Sequence, residues 1–160
     1  MPLVLAGTEP IDSIYRSVNT YPHLLAQSIA GNPESLSDAE LAASTRTILD
    51  GLYAAQLRGV QEFYAERSAQ ERALADIADV ARAATFGAVE TLLVDIDATV
   101  PGEVDGRGAV TFARTATGDA HDVVDEIARR GWSSGARVLA VRASDIPGGG
   151  PVAATLRYTL

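Results

Sequence analysis

The sequence predicts an α/β protein: a layered α/β/α domain on a small mixed sheet, preceded by a long helix and a shorter strand–helix segment. Three observations carry this expectation. From about residue 72 to 160, helical periodicity alternates with short runs of branched apolar residues, the order that a layered α/β domain requires. A single glycine, Gly87 or Gly135, stands at each of two helix-to-strand junctions, where a residue without Cβ can take positive φ. Residues 38–68 keep a helical pattern well beyond the length of an ordinary helix in a compact domain.

The elements follow in order. PLVLAG at 2–7 is an apolar run of strand character, and Pro10 opens a helix whose apolar residues Ile11, Ile14, Tyr15 and Val18 recur at helical spacing. Residues 19–37, punctuated by Pro and Gly, read as a partly buried connection. Ser37 and Glu40 have the spacing of a capping box for the long helix, which Gly51 and Gly59 interrupt. Leu74, Ile77, Ala78, Ala81 and Ala84 form one apolar helical stripe ending at Gly87. Leu92, Leu93, Val94 and Ile96 then mark a strand covered on both faces.

Turn chemistry at Asp105-Gly106 places a hairpin within 100–112. A helix capped by Asp119 runs through Val123, Val124, Ile127 and Ala128 to Arg130 or Trp132. RVLAVR at 137–142 reads as another buried strand, and VAATLRYTL, with Leu156, Tyr158 and Leu160 alternating, as an edge strand.

A chain of 160 residues that is 47% hydrophobic can bury one substantial core, or one domain and part of another. No apolar run approaches the roughly 20 residues of a membrane span, and the first residues carry no basic, then apolar, signal pattern. A cytoplasmic protein is expected. The absence of cysteine rules out disulfides, thiol nucleophiles and thiolate metal sites. All thirteen cations are Arg, against twenty-one acids, and a net charge of −8 disfavours generic nucleic-acid binding.

Candidate sites are few. His121 beside Asp119, Asp122 and Asp125 invites a metal reading, but acids at a helix start are what the dipole favours, and no H-E-x-x-H spacing is present. Ser133 and Ser134 have no histidine near in sequence, and His23 lies in the 19–37 connection. Gly148-Gly149-Gly150-Pro151 follows a strand, and a short helical turn at 151–154 would make it a phosphate cradle. It lacks the Lys and Ser/Thr of a P-loop, and a tight connection is preferred. Arg129, Arg130, Arg142 and Arg157 are the partner-binding candidates, a patch for RNA or an acidic protein. Cations near a helix C-terminus also serve the dipole, which is the simpler role for Arg129 and Arg130. No cofactor or metal is assigned.

The stretch DVARAATFGAVETLLVDID at 79–97 resembles the start of the C-terminal domain of the archaeal and eukaryotic class-1 peptide release factors and Pelota, where a helix, G-A-V-E and an apolar strand occur in this order. VVDEIARRGWSSGARVLAV at 123–141 and PGGGPVAATLRY at 147–158 are similar to that domain's next helix–Gly–strand unit and to its Gly-rich loop ending in L-R-Y/F. The whole pattern resembles most closely the bacterial homologues of these factors. It implies three parts: 1–36 as the remnant of a preceding middle domain, 37–70 as a connecting helix, and 71–160 as the C-terminal α/β domain.

The resemblance further implies a non-catalytic surface that binds a translational GTPase or the ribosome. The family's peptide-releasing Gly-Gly-Gln is missing from these 160 residues, so no enzymatic activity is carried over. The alternatives are an RNA-binding module related to ribosomal proteins that bind kink-turn RNA, or a small-ligand or phosphate-binding domain. A strand at 2–7 and a helix stripe left without the middle domain would favour a homodimer, formed by exchange of the N-terminal segment.

Overall fold

The computed structural model describes residues 1–113 and 121–159. The chain divides into two compact units, Met1–Gln56 and Leu57–Leu160.

In the first unit, strand β1 (Leu3–Gly7), helix α1 (Ile11–Val18) and strand β2 (Leu24–Ala30) form a βαβ unit, with β2 parallel to β1. The strand β2 corrects the reading of 19–37 as a connection. Its sequence, LLAQSIA, has neither strict alternation nor an unbroken apolar run, since Gln27 and Ser28 interrupt both patterns. The capping box forms as expected. The Ser37 amide and hydroxyl both donate to Glu40 Oε2, at 2.8 and 2.7 Å, and the Glu40 amide reaches back to Ser37 Oγ at 3.4 Å. Helix α2 then runs over Asp38–Ala69.

The second unit is built on a mixed four-stranded sheet. Its strands are β3 (Ala73–Leu74), β4 (Val89–Asp95), β8 (Arg137–Val141) and β9 (Val152–Leu156), in the spatial order β3-β9-β4-β8. β4 and β8 are parallel, and β9 is antiparallel to both β3 and β4. Between β4 and β8 lie a small three-stranded sheet of β5 (Pro101–Val104), β6 (Val110–Phe112) and β7 (His121–Asp122), and helix α4 (Val123–Ser133). Helix α3 (Ile77–Thr85) precedes β4.

Side chains alternate across the main sheet and build a core on each face. Leu92 and Val94 of β4, with Val152, Ala154 and Leu156 of β9, pack with Val80 and Ala84 of α3 and Val124 and Ile127 of α4. Leu93 and Ala153, one residue out of phase, pack with Leu57, Val60 and Tyr64 on the C-terminal part of α2. Helices therefore cover both faces, and the layered α/β/α domain with a mixed sheet is the fold observed.

The two helix-to-strand junctions are built alike. After α3 the Ala88 amide donates to Ala83 O at 2.9 Å and the Gly87 amide to Ala84 O at 3.2 Å. After α4 the Ala136 amide donates to Gly131 O at 2.9 Å and the Gly135 amide to Trp132 O at 3.0 Å. Both are Schellman closures, with Gly87 at φ 69° and Gly135 at φ 79°, a conformation that any Cβ would strain.

Other sequence expectations need correction. Leu74 lies in β3, and α3 begins only after Asp76, whose carboxylate accepts from the amides of Ala78 and Asp79. Asp119 lies outside the described residues. The cap of α4 is Asp122, whose Oδ1 accepts from the Val124 amide at 2.9 Å and the Val100 amide at 3.1 Å. His121 is therefore in a strand and not in a first helical turn.

The placements of β8 and β9 are the reverse of those read from sequence. β9 is central and fully buried and ends at Leu156, whereas β8 is at the sheet edge with only Val141 buried. Ala153 and Ala154 are small enough to be covered from both sides, and residues 157–159 are not strand, while Leu160, the last member of the apparent alternation, lies outside the described residues. Since 151–154 is strand or bend and not helix, the Gly-rich loop has no helix N-terminus behind it and is a tight connection.

Candidate functional site

Helices α3 and α4 both deliver their chain into parallel strands, so both C-termini lie at the same end of the sheet. Arg157, the first residue beyond β9, joins them. Its Nη1 donates to Gly87 O at 2.9 Å and to Ser134 O at 3.2 Å, one carbonyl from each junction. Its amide donates to Ala88 O at 2.8 Å. A cation here meets the partial negative charge of two helix ends at once. The junctions are close enough that a Cβ added to Gly87 would touch Ser134 Cβ at 3.5 Å.

Three residues next to the bridged segments in sequence carry aromatic side chains that face solvent: Phe86 at 59% exposure, Tyr158 at 51%, and Trp132, the only tryptophan, at 74%. Phe86 caps α3, Trp132 is in the last turn of α4, and Tyr158 follows Arg157. Aromatic groups left in water at the end of an otherwise well-packed domain mark a surface suited to a protein partner. The sequence carried a signal for two of them. Trp132 and Phe86 are rotated off the apolar arcs formed by Val124, Ile127 and Gly131 and by Val80, Ala81 and Ala84, so periodicity alone turns them outward.

The four arginines expected as a patch are not brought together. Arg130, with a side chain only 16% exposed, is committed to the fold. It donates through Nε to Glu126 Oε1, through Nη1 to Thr85 Oγ1 and Asp105 O, and through Nη2 to Val104 O, each at 2.7 Å. It thereby straps α4 to α3 and to the β5–β6 turn. Arg129 is 65% exposed and forms a bidentate pair with Glu126 at 2.7 Å. The bond from Arg129 first, with that from Arg130 and the charges of both, pulls the Glu126 carboxyl down to about 2 against an opposing effect of burial that is smaller than the Arg129 bond but larger than the Arg130 one. Arg142 follows β8, at the opposite end of the sheet from Arg157, about 16 Å along the strand. Arg157 lies at the junction beside these aromatics, and the exposed Arg129 stands one helical turn before Trp132.

Of the acids beside His121, Asp122 is engaged as the α4 cap and Asp125 lies in the first turn of α4. No helix among the described residues is long and apolar enough to cross a membrane.

Comparison with known proteins agrees with the resemblance read from the sequence. The sequence model of the family described as "Bacterial archaeo-eukaryotic release factor family 11" matches residues 1–55, the part where the motif resemblance is loosest. No curated protein matches. Among solved structures, the fold is similar to the C-terminal domain of the peptide chain release factor from Methanosarcina mazei, with a TM-score of 0.53 and 21% identity over 79% of this chain and 98% of that one. It is also similar to Pelota from Archaeoglobus fulgidus, with a TM-score of 0.51 and 20% identity over 98% of this chain. A third similar structure is archaeal Pelota in a ribosome-bound model with ABCE1, with a TM-score of 0.57 and 20% identity over 97% of this chain. The chain spans 49% and 43% of those two Pelota chains. The chain thus has a release-factor- and Pelota-like fold.

Proposed function

We propose that this chain is a non-catalytic interaction domain of a release-factor- or Pelota-like translation protein, and that it docks a protein partner through the end carrying Phe86, Trp132, Arg157 and Tyr158. The observation that carries the reading is the three exposed aromatic side chains around a point where two helix C-termini meet. The domain division proposed from sequence is kept, with 71–160 as the docking domain. Ribosomes, or the translational GTPases that work on them, are the partner class, which places the protein in the cytoplasm. Support comes from the fold shared with archaeal Pelota, itself described in a ribosome-bound state. The family's catalytic Gly-Gly-Gln does not occur in this sequence, so the role proposed is binding and not peptide release.

The chemistry of the partner segment follows from the surface. The exposed aromatic rings and a net charge of −8 favour a segment that places an apolar side chain among the aromatics, with an Arg or Lys over a ring face.

Co-sedimentation with ribosomes and capture of purified translational GTPases test the proposal, with Trp132→Ala and Phe86→Ala beside the unsubstituted chain. Loss of an aromatic anchor weakens binding by about tenfold or more while leaving the melting temperature in place. Failure to bind either class of partner, or equal binding by both variants, would overturn it. Binding to naked ribosomal RNA with a steep salt dependence would instead favour the RNA-binding alternative.

A further inference from the structure

The side chain of Arg157 is engaged on one side only. Its backbone is fixed at both ends: the amide donates to Ala88 O at 2.8 Å, and Arg72 Nη2 donates to the Arg157 carbonyl and, at 2.8 Å, to that of Leu156. Its guanidinium is fixed at Nη1, which donates to Gly87 O at 2.9 Å and to Ser134 O at 3.2 Å. Both acceptors are neutral. Among the described residues no carboxylate pairs with Arg157, and its Nε–H and Nη2–H meet no acceptor, although the residue is exposed.

A guanidinium presents Nε–H and an Nη2–H side by side along one edge, a fork that fits the paired oxygens of a carboxylate. The same edge is occupied elsewhere in this protein. Arg129 donates through Nε to Glu126 Oε2 and through Nη2 to Glu126 Oε1, each at 2.7 Å. In Arg157 that edge is open, and its direction is set because the planar group is held at Nη1, the opposite corner. The rotamer freedom that an arginine usually loses on binding is here lost already on folding. Nη2 runs beside the closing turn of α4, since a Cβ built on Gly135 would stand 3.7 Å from it. The open edge thus borders the turn that follows Trp132, with Tyr158 next to Arg157 in sequence.

We infer that Arg157 sets the specificity of the docking end by taking an Asp or Glu carboxylate of the partner segment on its Nε–Nη2 edge. This recognition rests on the docking proposal and adds to it an acid beside the apolar and cationic side chains expected of the segment. A fixed fork selects by geometry as well as by charge, which aromatic rings alone do not. Phosphate fits the same edge. RNA, however, is held by several cations acting together, and a lone open fork on a chain of net charge −8 favours a single carboxylate.

Selection of a random-peptide phage library on the full chain, followed by titration of synthetic peptides, tests the inference. Peptides whose binding is lost on Trp132→Ala should share an Asp or Glu. Exchanging that residue for Asn or Gln should weaken binding to the unsubstituted chain at least about tenfold. This exchange is made in the peptide, so its result does not depend on the folding of a variant. Arg157→Lys keeps the charge but not the fork, and on it the preference for acid over amide should shrink to about threefold or less. A role confined to holding the helix ends together would instead weaken both peptides equally. Equal weakening, or Trp132-dependent peptides indifferent to the acid, would overturn the inference and leave the docking proposal standing. If no peptide depended on Trp132 or Phe86, both would fall. A single-stranded RNA oligonucleotide that displaces the acidic peptides and loses affinity on Arg157→Lys would give the edge to phosphate, and would also overturn the inference.

Discussion

Replacing Arg130 by alanine should unfold the second unit far more readily than replacing its neighbour Arg129. The Arg130 guanidinium makes four hydrogen bonds at 2.7 Å to partners on three elements, and its side chain is 16% exposed. A hydrogen bond from a charged donor contributes about 1.5–3 kcal/mol, and the carbonyls of Val104 and Asp105 and the Thr85 hydroxyl lose theirs together. These contributions are not additive and water recovers part of them, so a net loss of about 3 kcal/mol is expected. For a unit of this size each kcal/mol lowers the melting temperature by about 4–8 °C. The drop on Arg130→Ala should therefore be at least about 12 °C, followed by circular dichroism.

Arg129→Ala should move the melting temperature far less than Arg130→Ala, since its side chain is largely in water and solvent screens its pair with Glu126. Arg130→Lys should recover only part of the stability, because one ammonium cannot reach all four acceptors in the fork geometry. Equal melting temperatures for Arg129→Ala and Arg130→Ala would refute the reasoning and return Arg130 to the class of free surface cations.

Three further outcomes follow. Glu126 titrates at about 2 in the native state against 4.5 as an ordinary glutamate, so its contribution is complete above about pH 5 and is lost as pH falls through about 2. After discounting for the exposed partner Arg129, that loss is on the order of 2 kcal/mol, and Glu126→Gln should flatten the acid limb of a stability–pH curve. Gly108→Val should cost roughly 3 kcal/mol or more, because φ is 81° and the new Cβ would stand 2.6 Å from Arg82 Cα of α3. Thermal melts would show it. Leu93→Ala should cost about 2–4 kcal/mol by opening a cavity between β4 and α2. Amide exchange should then rise first in the part of α2 that carries Val60 and Tyr64.

The sequence was most legible where local chemistry and burial agree. The stretch from Ile77 to Asp95 carries its apolar stripe, its closing glycine and its buried strand in one piece, and these were recognisable, whereas the Asp76 cap was masked by Leu74, which extends the stripe into β3. So was the Ser37–Glu40 capping box. β2 was hidden because Gln27 and Ser28 break both alternation and apolar run, and its pairing with β1 is made across a parallel crossover that no local pattern encodes. β9 was misplaced because alanine fits a strand covered on both faces as well as it fits a surface.

The candidate site was legible only in part. A row of arginines in the sequence gives no account of the carbonyls each will meet, and Arg130 and Arg157 are defined by acceptors twenty-three to seventy residues away. The aromatic end could have been found from Phe86 and Trp132, both standing off the apolar arcs of their helices just before a closing turn.

Trp132 supplies the most direct test of the docking claim, since it is the only tryptophan and stands 74% exposed in the proposed surface. The chain labelled with 5-fluorotryptophan gives one fluorine resonance, which can be followed while unlabelled translational GTPase or ribosomes are added. The account predicts that this resonance shifts and broadens, and loses its accessibility to a soluble paramagnetic quencher, as the complex forms. A complex that forms while the resonance stays sharp, unshifted and fully accessible would place the contact elsewhere and contradict the account.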